Sequence, residues 1–337
     1  MINRRWLIAE NPLGRNLKVS DFLADTQPIP RPGPGEFIVR VDYFSLDPAL
    51  KSHMENLASY AGPTTVGGLM PGGGAGEVIA SEHSGYAVGD KVTGPFGWQN
   101  YACTDGTDVS RIPAGIACET ALGVLGVTGK TAYCGFVEIG KPRPGDTVVI
   151  SGAAGATGSV VGQIAKIAGC FVIGIAGGPE KCSRLVDEFG FDAVIDYKSE
   201  KVRSRLRAIA PDGIDVMFDN VGGDILNDCL ARLRHDARVV ICGAISRYNF
   251  DPRSPDMPEG PRNYFNLVHA HASMQGFILP DLERFHAEAE RRLTVWLKGG
   301  RIREAVDIVE GFDCAPEGLM RLFEGRNFGK QLVRIAA

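Results

Sequence analysis

The chain has 337 residues, 44% of them apolar, and a formal charge of −4 with both signs interspersed. That length suffices for two ordinary domains with a sizeable buried core, and the charge offers neither a basic stripe for nucleic acid nor a polyacidic tail. No apolar run reaches the roughly 18 residues of a membrane-spanning helix. The amino-terminal stretch lacks the apolar core and cleavage site of a signal peptide. Eight cysteines scattered along the chain fit buried thiols in a reducing compartment, so the expected location is cytoplasmic. The expected partners are a small molecule or a second copy of the chain, with no nucleic acid and no membrane.

In chain order, residues 5–9 and 21–27 read as short edge structure. Phe37, Val39 and Val41 alternate with Ile38, Arg40 and Asp42, which predicts a strand covered on one face. Glycine-dense segments then lead to the aromatics Phe96, Trp98 and Tyr101. Short strands cut by glycine turns predict a compact, mostly β domain over residues 1–125. Residues 119–139 read as one or two helices broken by glycine. Gly129-Lys130-Thr131 lacks the first glycine of a nucleoside-triphosphate loop, since Val124 stands at that position.

The most informative stretch is 146–169. A strand over 147–151 meets a glycine turn and becomes a helix near 157–169, and the turn reads A-x-G-x-x-G through Ala153, Gly155 and Gly158. In such a fingerprint the glycines make the turn, admit the pyrophosphate and let the helix pack on the strand. Further strands are predicted at 171–176, 193–197, 214–219 and 237–242. Helices are predicted near 180–189, 199–210 and 224–234. This alternation gives a parallel sheet covered on both faces, within a dinucleotide-binding domain over 126–278. Ligands bind such sheets beyond the carboxyl ends of the strands. The candidates there lie in Gly152 to Gly158, including Ala156 and Thr157, then Gly177 to Lys181, Tyr197, Asn220 to Gly223, and Cys242 to Tyr248.

Residues 249–263 are proline-rich and polar, and read equally as a pocket wall or a surface excursion. A strand near 272–278, a helix over 286–300, helical pieces at 301–310 and 315–324, and a strand over 331–335 complete the chain. These last elements cannot all extend the parallel sheet. Segment 279–337 is therefore expected to return, at least in part, to the first domain.

The second strand of the dinucleotide-binding domain ends in Ala176-Gly177-Gly178-Pro179-Glu180-Lys181, without the immediate acid that grips the ribose hydroxyls of NAD. Lys181 offers a point charge to a 2′-phosphate, which favours NADP(H); Glu180 leaves the opposite reading open. Arg184 either assists or faces solvent. No metal is expected: there is no Cys-x-x-Cys, His269 and His271 lack a nameable third ligand, and His53, His83, His235 and His286 stand alone. Tyr248 follows the fifth strand of that sheet, where a phenol either donates to an oxygen that gains negative charge or simply packs. Cys242 has no local base and reads as a small buried side chain.

Several segments together resemble the zinc-independent medium-chain dehydrogenase/reductase superfamily, in its branch of NADPH-dependent alkenal/one oxidoreductases (prostaglandin reductases, plant double-bond reductases, bacterial curcumin reductase). They are NRRWLIA near the start, SLDP at 45–48, AAGATGSVVGQIAKIAGC, GGPEKC, FDNVGG at 218–223 and ICGAISRYN at 241–249. The resemblance spans nearly the whole chain. It implies an α/β fold: a Rossmann-type parallel sheet domain plus a GroES-like, mostly β catalytic domain built from both ends of the chain. It further implies NADP(H) as cofactor, a homodimer, and hydride transfer to the β-carbon of α,β-unsaturated aldehydes or ketones.

By the same resemblance, Ala153, Gly155, Ala156, Thr157 and Gly158 hold the pyrophosphate, while Gly178, Lys181 and Tyr197 surround the 2′-phosphate. Asn220 lies toward the nicotinamide, Cys242, Gly243 and Ser246 line the cofactor cleft, and Asn327 adds a late contact. Tyr248 also contacts the cofactor and assists at the substrate carbonyl. The family usually continues SLDP with tyrosine, methionine and arginine, whereas this chain has Ala49, Leu50 and Lys51. A reshaped substrate pocket around Ala49, Tyr60 and Tyr248 is the expected consequence. A quinone reductase of the same fold is the alternative within the class, and a nucleotide-binding protein without turnover the alternative outside it. Lys181 and Tyr248 argue against the latter, because a scaffold needs neither.

Overall fold

The computed structural model describes residues 2–57 and 64–335. The chain divides into two compact units, one of residues 1–123 with 306–337 and the other of 124–305.

In the first unit, β1 (Ile2–Ile8) and β2 (Phe22–Pro28) form an antiparallel pair. A mixed sheet contains β3 (Phe37–Ser45), β4 (Gly74–Ser81), β5 (Lys91–Gly94), β6 (Tyr101–Thr104) and β7 (Ser110–Arg111). Phe37, Val39 and Val41 pack with Val78, Val92 and Phe96 as the alternation requires. Ile38 is buried as well, so β3 is covered on both faces there. Trp98 stacks between Phe22 and Phe44, with ring centroids 5.7 and 5.4 Å away. Each such buried side chain stabilises the fold by about 1.5–3 kcal/mol relative to exposure.

The second unit holds six parallel strands: β8 (Thr147–Ser151), β9 (Phe171–Ala176), β10 (Ala193–Asp196), β11 (Ile214–Asp219), β12 (Leu233–Ile241) and β13 (Ser273–Gly276). Their order is β10-β9-β8-β11-β12-β13, the 3-2-1-4-5-6 arrangement of a dinucleotide-binding sheet. The order reverses between β8 and β11, so the loops leaving those two strands flank the crevice in which such sheets bind ligands. Val149, Ile173, Ile195, Met217 and Val239 form one continuous core beneath the helices. These are runs of β-branched and large apolar residues, as expected for strands buried on both faces.

The carboxyl-terminal segment returns as β14 (Val306–Glu310) and β15 (Lys330–Arg334), with β15 antiparallel to β3 through Leu332 opposite Ser45. Three expectations are corrected. Residues 301–310, expected to be helical, contain β14, because Val306, Ile308 and Val309 pair in register with β15. The helix expected over 224–234 is Gly223–Leu230, and β12 begins at Leu233. Residues 279–305 do not return to the first unit, since the helix His286–Lys298 packs on the helix Val127–Tyr133, with Trp296 6.0 Å from Tyr133 between ring centroids.

Candidate cofactor and active site

Gly152 follows β8 with φ of 59°, a left-handed conformation that glycine adopts without a side-chain penalty. It is therefore Gly152, one residue before the expected position, that turns the chain. Ala153 is buried beside it, and its N–H donates to Ile175 O at 3.1 Å, fastening the turn to β9. The alanine in the fingerprint thus weakens nothing. Gly155 caps the helix Ala156–Ile167 and donates to Gly152 O at 3.0 Å. A β-carbon on Gly158 would overlap the same carbonyl, so the turn and the first helical residues, with Ala156 and Thr157 among them, form a cradle closed to side chains. Helix amino termini of this kind present N–H groups and a positive dipole end to an anion.

At the end of β9, Gly178 has φ of 96° and caps the helix Pro179–Asp187, in which Lys181 is the third residue. The N–H of Gly178 donates to Asp196 Oδ1 at 2.8 Å. The Tyr197 ring lies over Gly177, where an added β-carbon would stand 2.9 Å from its Cε1. Tyr197 is exposed, and its own N–H donates to Ala176 O at 3.1 Å. The ends of β9 and β10 therefore bring Gly178, Lys181 and Tyr197 to one turn. Lys198 joins them: its Cε lies 3.0 Å from the same added β-carbon on Gly177. Glu180, the competing acid, is the second residue of the helix. Asp196 is held below the usual carboxylate range chiefly by the Gly178 N–H, and its oxygens also accept from the Lys198 N–H and the Ser199 hydroxyl. The acid on this turn is engaged with its own loop.

Beyond β11, the side-chain amide of Asn220 donates to Ser151 O at 2.7 Å, and its backbone N–H donates to Ser151 Oγ at 2.9 Å. Ser151 in turn donates to buried Asp219. Cys242 and Gly243 donate their N–H groups to Asp219 O at 2.9 and 3.1 Å, and Ser246 Oγ donates to Val221 O at 2.6 Å. Burial, followed by the charge of Asp219, pushes the Cys242 thiol up to about 12, which disqualifies it as a nucleophile at neutral pH. Tyr248, half-buried, ends the short helical turn Ile245–Arg247. The loops after β8, β11 and β12 are thus one hydrogen-bonded assembly carrying Asn220, Gly243, Ser246 and Tyr248.

Two expected residues belong to the other unit. Asn327 lies just before β15 and donates to Gly329 O at 3.0 Å. Ala49 is half-buried and opens the helix Ala49–Met54. Tyr60 lies outside the described residues. Sequence reasoning placed Gly152 among the candidates but gave the turn to Ala153, and it missed Ser151 and Asp219. The serine closing the first strand and the aspartate opening Asp-Asn-Val-Gly-Gly were visible signals, but their pairing was not.

The isolation expected of His235 is also corrected. It stands with Asp236 and His271, the one group of three or more His, Cys, Asp or Glu donors that converges among the described residues. That group is exposed and lies at the starts of β12 and β13, away from the strand ends just described.

Residues 4–112 match the family described as the N-terminal domain of oxidoreductase, and 156–294 match the one described as zinc-binding dehydrogenase. The NADPH-dependent curcumin reductase of Escherichia coli is 36% identical over 339 residues, covering 99% of this chain and 97% of its own. The NADP+-dependent 2-alkenal reductase of Nicotiana tabacum is 35% identical, covering 90% of this chain and 88% of its own. The crystal structure of CurA in complex with NADPH from Vibrio vulnificus superposes with a TM-score of 0.92 at 38% identity, covering 99% of each chain. The Rossmann-type sheet, the GroES-like β unit and these likenesses define a medium-chain dehydrogenase/reductase. Within that superfamily the chain belongs to the zinc-independent family of NADPH-dependent alkenal/one oxidoreductases.

Proposed function

We propose that this protein reduces the carbon–carbon double bond of α,β-unsaturated aldehydes or ketones with NADPH. The observation that carries the reading is the joining, at the carboxyl ends of one parallel sheet, of the closed glycine cradle, the Lys181–Tyr197 turn and the Asn220–Tyr248 loops. The likeness to a curcumin reductase and a 2-alkenal reductase supports the acceptor class.

When bound, NADPH supplies the hydride. The chain's own part is binding and charge placement. The N–H groups around Gly155 to Gly158 take the pyrophosphate, with Gly152 and Ala153 fixing their direction. Gly178, Lys181 and Tyr197 take the 2′-phosphate. Asn220, Cys242, Gly243 and Ser246 shape the nicotinamide side, and Asn327 is a further cofactor contact. Tyr248 donates a hydrogen bond to the carbonyl oxygen of the acceptor as negative charge grows there, while Ala49 and Tyr60 help set which acceptor fits. A donor so placed stabilises charge that exists only in the transition state.

We further infer a cytoplasmic homodimer. All eight cysteines are unpaired thiols, five of them buried, as suits a reducing compartment. Among the described residues, no helix is long and apolar enough to cross a membrane. β13 ends its sheet, and Tyr264, Phe265, Val268 and Met274 are exposed on or just before it, which suits strand-edge pairing between copies. A monomer in sedimentation at micromolar concentration contradicts the dimer. For the activity, NADPH consumption is measured across alkenals, cyclic enones and quinones; turnover confined to quinones contradicts the proposed acceptor.

A further inference from the structure

The structure assigns a second, non-catalytic site to this chain: we infer that His235, Asp236 and His271 bind a divalent transition-metal ion such as Zn2+ on the surface of the dinucleotide-binding unit. The three side chains each offer one ligand atom, and these atoms lie within 4.8 Å of one another. His271 Nδ1 is 2.7 Å from Asp236 Oδ1, His235 Nε2 is 3.9 Å from the same oxygen, and the two imidazoles stack with centroids 5.4 Å apart. Two imidazoles and a carboxylate are a borderline donor set, suited to zinc, copper or nickel rather than magnesium or calcium. Three protein donors leave the remaining zinc position to water.

The backbone builds this cluster. Ile214 faces Leu233 across the β11–β12 ladder, but the next pair is Val216 with Arg238, so extra residues of β12 bulge out. That bulge carries His235 and Asp236, and bulges commonly re-aim side chains. β12 and β13 pair in parallel from Arg238 opposite Ser273; two residues earlier on each strand stand Asp236 and His271. The Asp236 N–H donates to Ala270 O at 2.8 Å, fixing the two segments together. Asp236 and His271 have φ of 62° and 49°, a conformation uncommon outside glycine and most tolerated by Asn, Asp and His.

Asp236 supplies the carboxylate of the set, and the charge of Arg143, which acts on it, opposes a cation. The cluster stands at the starts of β12 and β13, whereas the cradle and Tyr248 follow strand ends. Its occupation is therefore separate from turnover.

The test is calorimetric titration of the full-length, tag-free protein with Zn2+ in a non-coordinating buffer, alongside the double variant His235→Gln/His271→Asn. Asn retains the left-handed backbone that residue 271 needs. The expected result is one Zn2+ per chain in the native protein, with affinity lowered by more than about tenfold in the variant. Zinc should also raise the melting temperature of the native chain and not of the variant. Native-like NADPH oxidation by the variant shows that it is folded. Equal zinc affinity and stoichiometry in both proteins, or no uptake by the native chain, overturns the assignment. Asp236→Asn provides a second reading: undiminished binding there also contradicts it.

Discussion

The Ser151 hydroxyl donates to Asp219 Oδ1 at 2.6 Å, joining the last residues of β8 and β11 across 68 positions of sequence. The same hydroxyl accepts from the Asn220 N–H, and Asp219 also accepts from Val221 and Gly222. Ser151→Ala leaves a buried carboxylate and a backbone N–H each short of a partner. A loss of about 2 kcal/mol in urea unfolding is expected, with weaker NADPH binding because the Asn220 loop loses its anchor. An unchanged NADPH affinity contradicts the role of this pair in holding that loop.

Asp219 also makes a pH-dependent prediction. Burial, outweighing its donors, raises its carboxyl above the ordinary value of 3.8. A raised folded pKa gives stability that is complete below the unfolded value and is lost as pH rises through the folded one. Asp219→Asn removes that titration. Its destabilisation relative to the native chain is therefore greatest below pH 3.8 and shrinks as the pH rises toward neutrality, as urea midpoints on the two sides will show.

The glycine cradle predicts a graded series. Gly158→Ala drives a β-carbon into Gly152 O, whereas on Gly155 it stands 3.2 Å from the same atom. The first must open the turn and the second only shift it. NADPH affinity is expected to fall at least about tenfold more in Gly158→Ala, with the far-ultraviolet dichroism of both retained. Equal losses would show that the turn relaxes freely.

Lys181 governs the choice of nucleotide. Lys181→Ala should lower the preference for NADPH over NADH by about tenfold or more, since one charge-assisted contact to a phosphate is worth about 1.5–3 kcal/mol. The KM for NADH should hardly move. An unaltered preference points to Lys198 or Tyr197 as the main 2′-phosphate contact.

Cys103 is exposed yet pushed up to about 11, first by partial burial and then by Glu36, whose Oε2 accepts from its Sγ at 3.5 Å. Alkylation near neutral pH should be slow there despite the exposure, because the thiolate reacts. Its rate should climb with pH toward about 11 and increase in Glu36→Gln, as peptide mapping after timed labelling will show.

The Rossmann half was legible because short β-branched runs alternate with helical periods and glycines mark the carboxyl ends of β8, β9 and β11. The first half of the 301–310 stretch, rich in arginine and glutamate, resembles a helix, and only distant β15 draws Val306–Glu310 into a sheet. The helix His286–Lys298 shows an apolar face, but its sequence does not say which core receives that face. Gly178, Lys181 and Tyr197 were readable as neighbours since strand ends collect on one edge of a parallel sheet. The Ser151–Asp219 pair and the His235–His271 cluster depend on register and on a bulge, which no local pattern encodes.

Tyr248→Phe should lower kcat on a good enone by roughly 100-fold or more while leaving NADPH binding intact, as expected for a donor used in the transition state. An unchanged rate assigns charge stabilisation to another group.

The most direct measurement is the reduction of an enone with NADPH deuterated at the transferred position, followed by product analysis. The proposed chemistry predicts a saturated ketone with deuterium on the former β-carbon and one NADPH consumed for each product. An allylic alcohol with deuterium on the carbonyl carbon, or no turnover of any enone or alkenal, would contradict it.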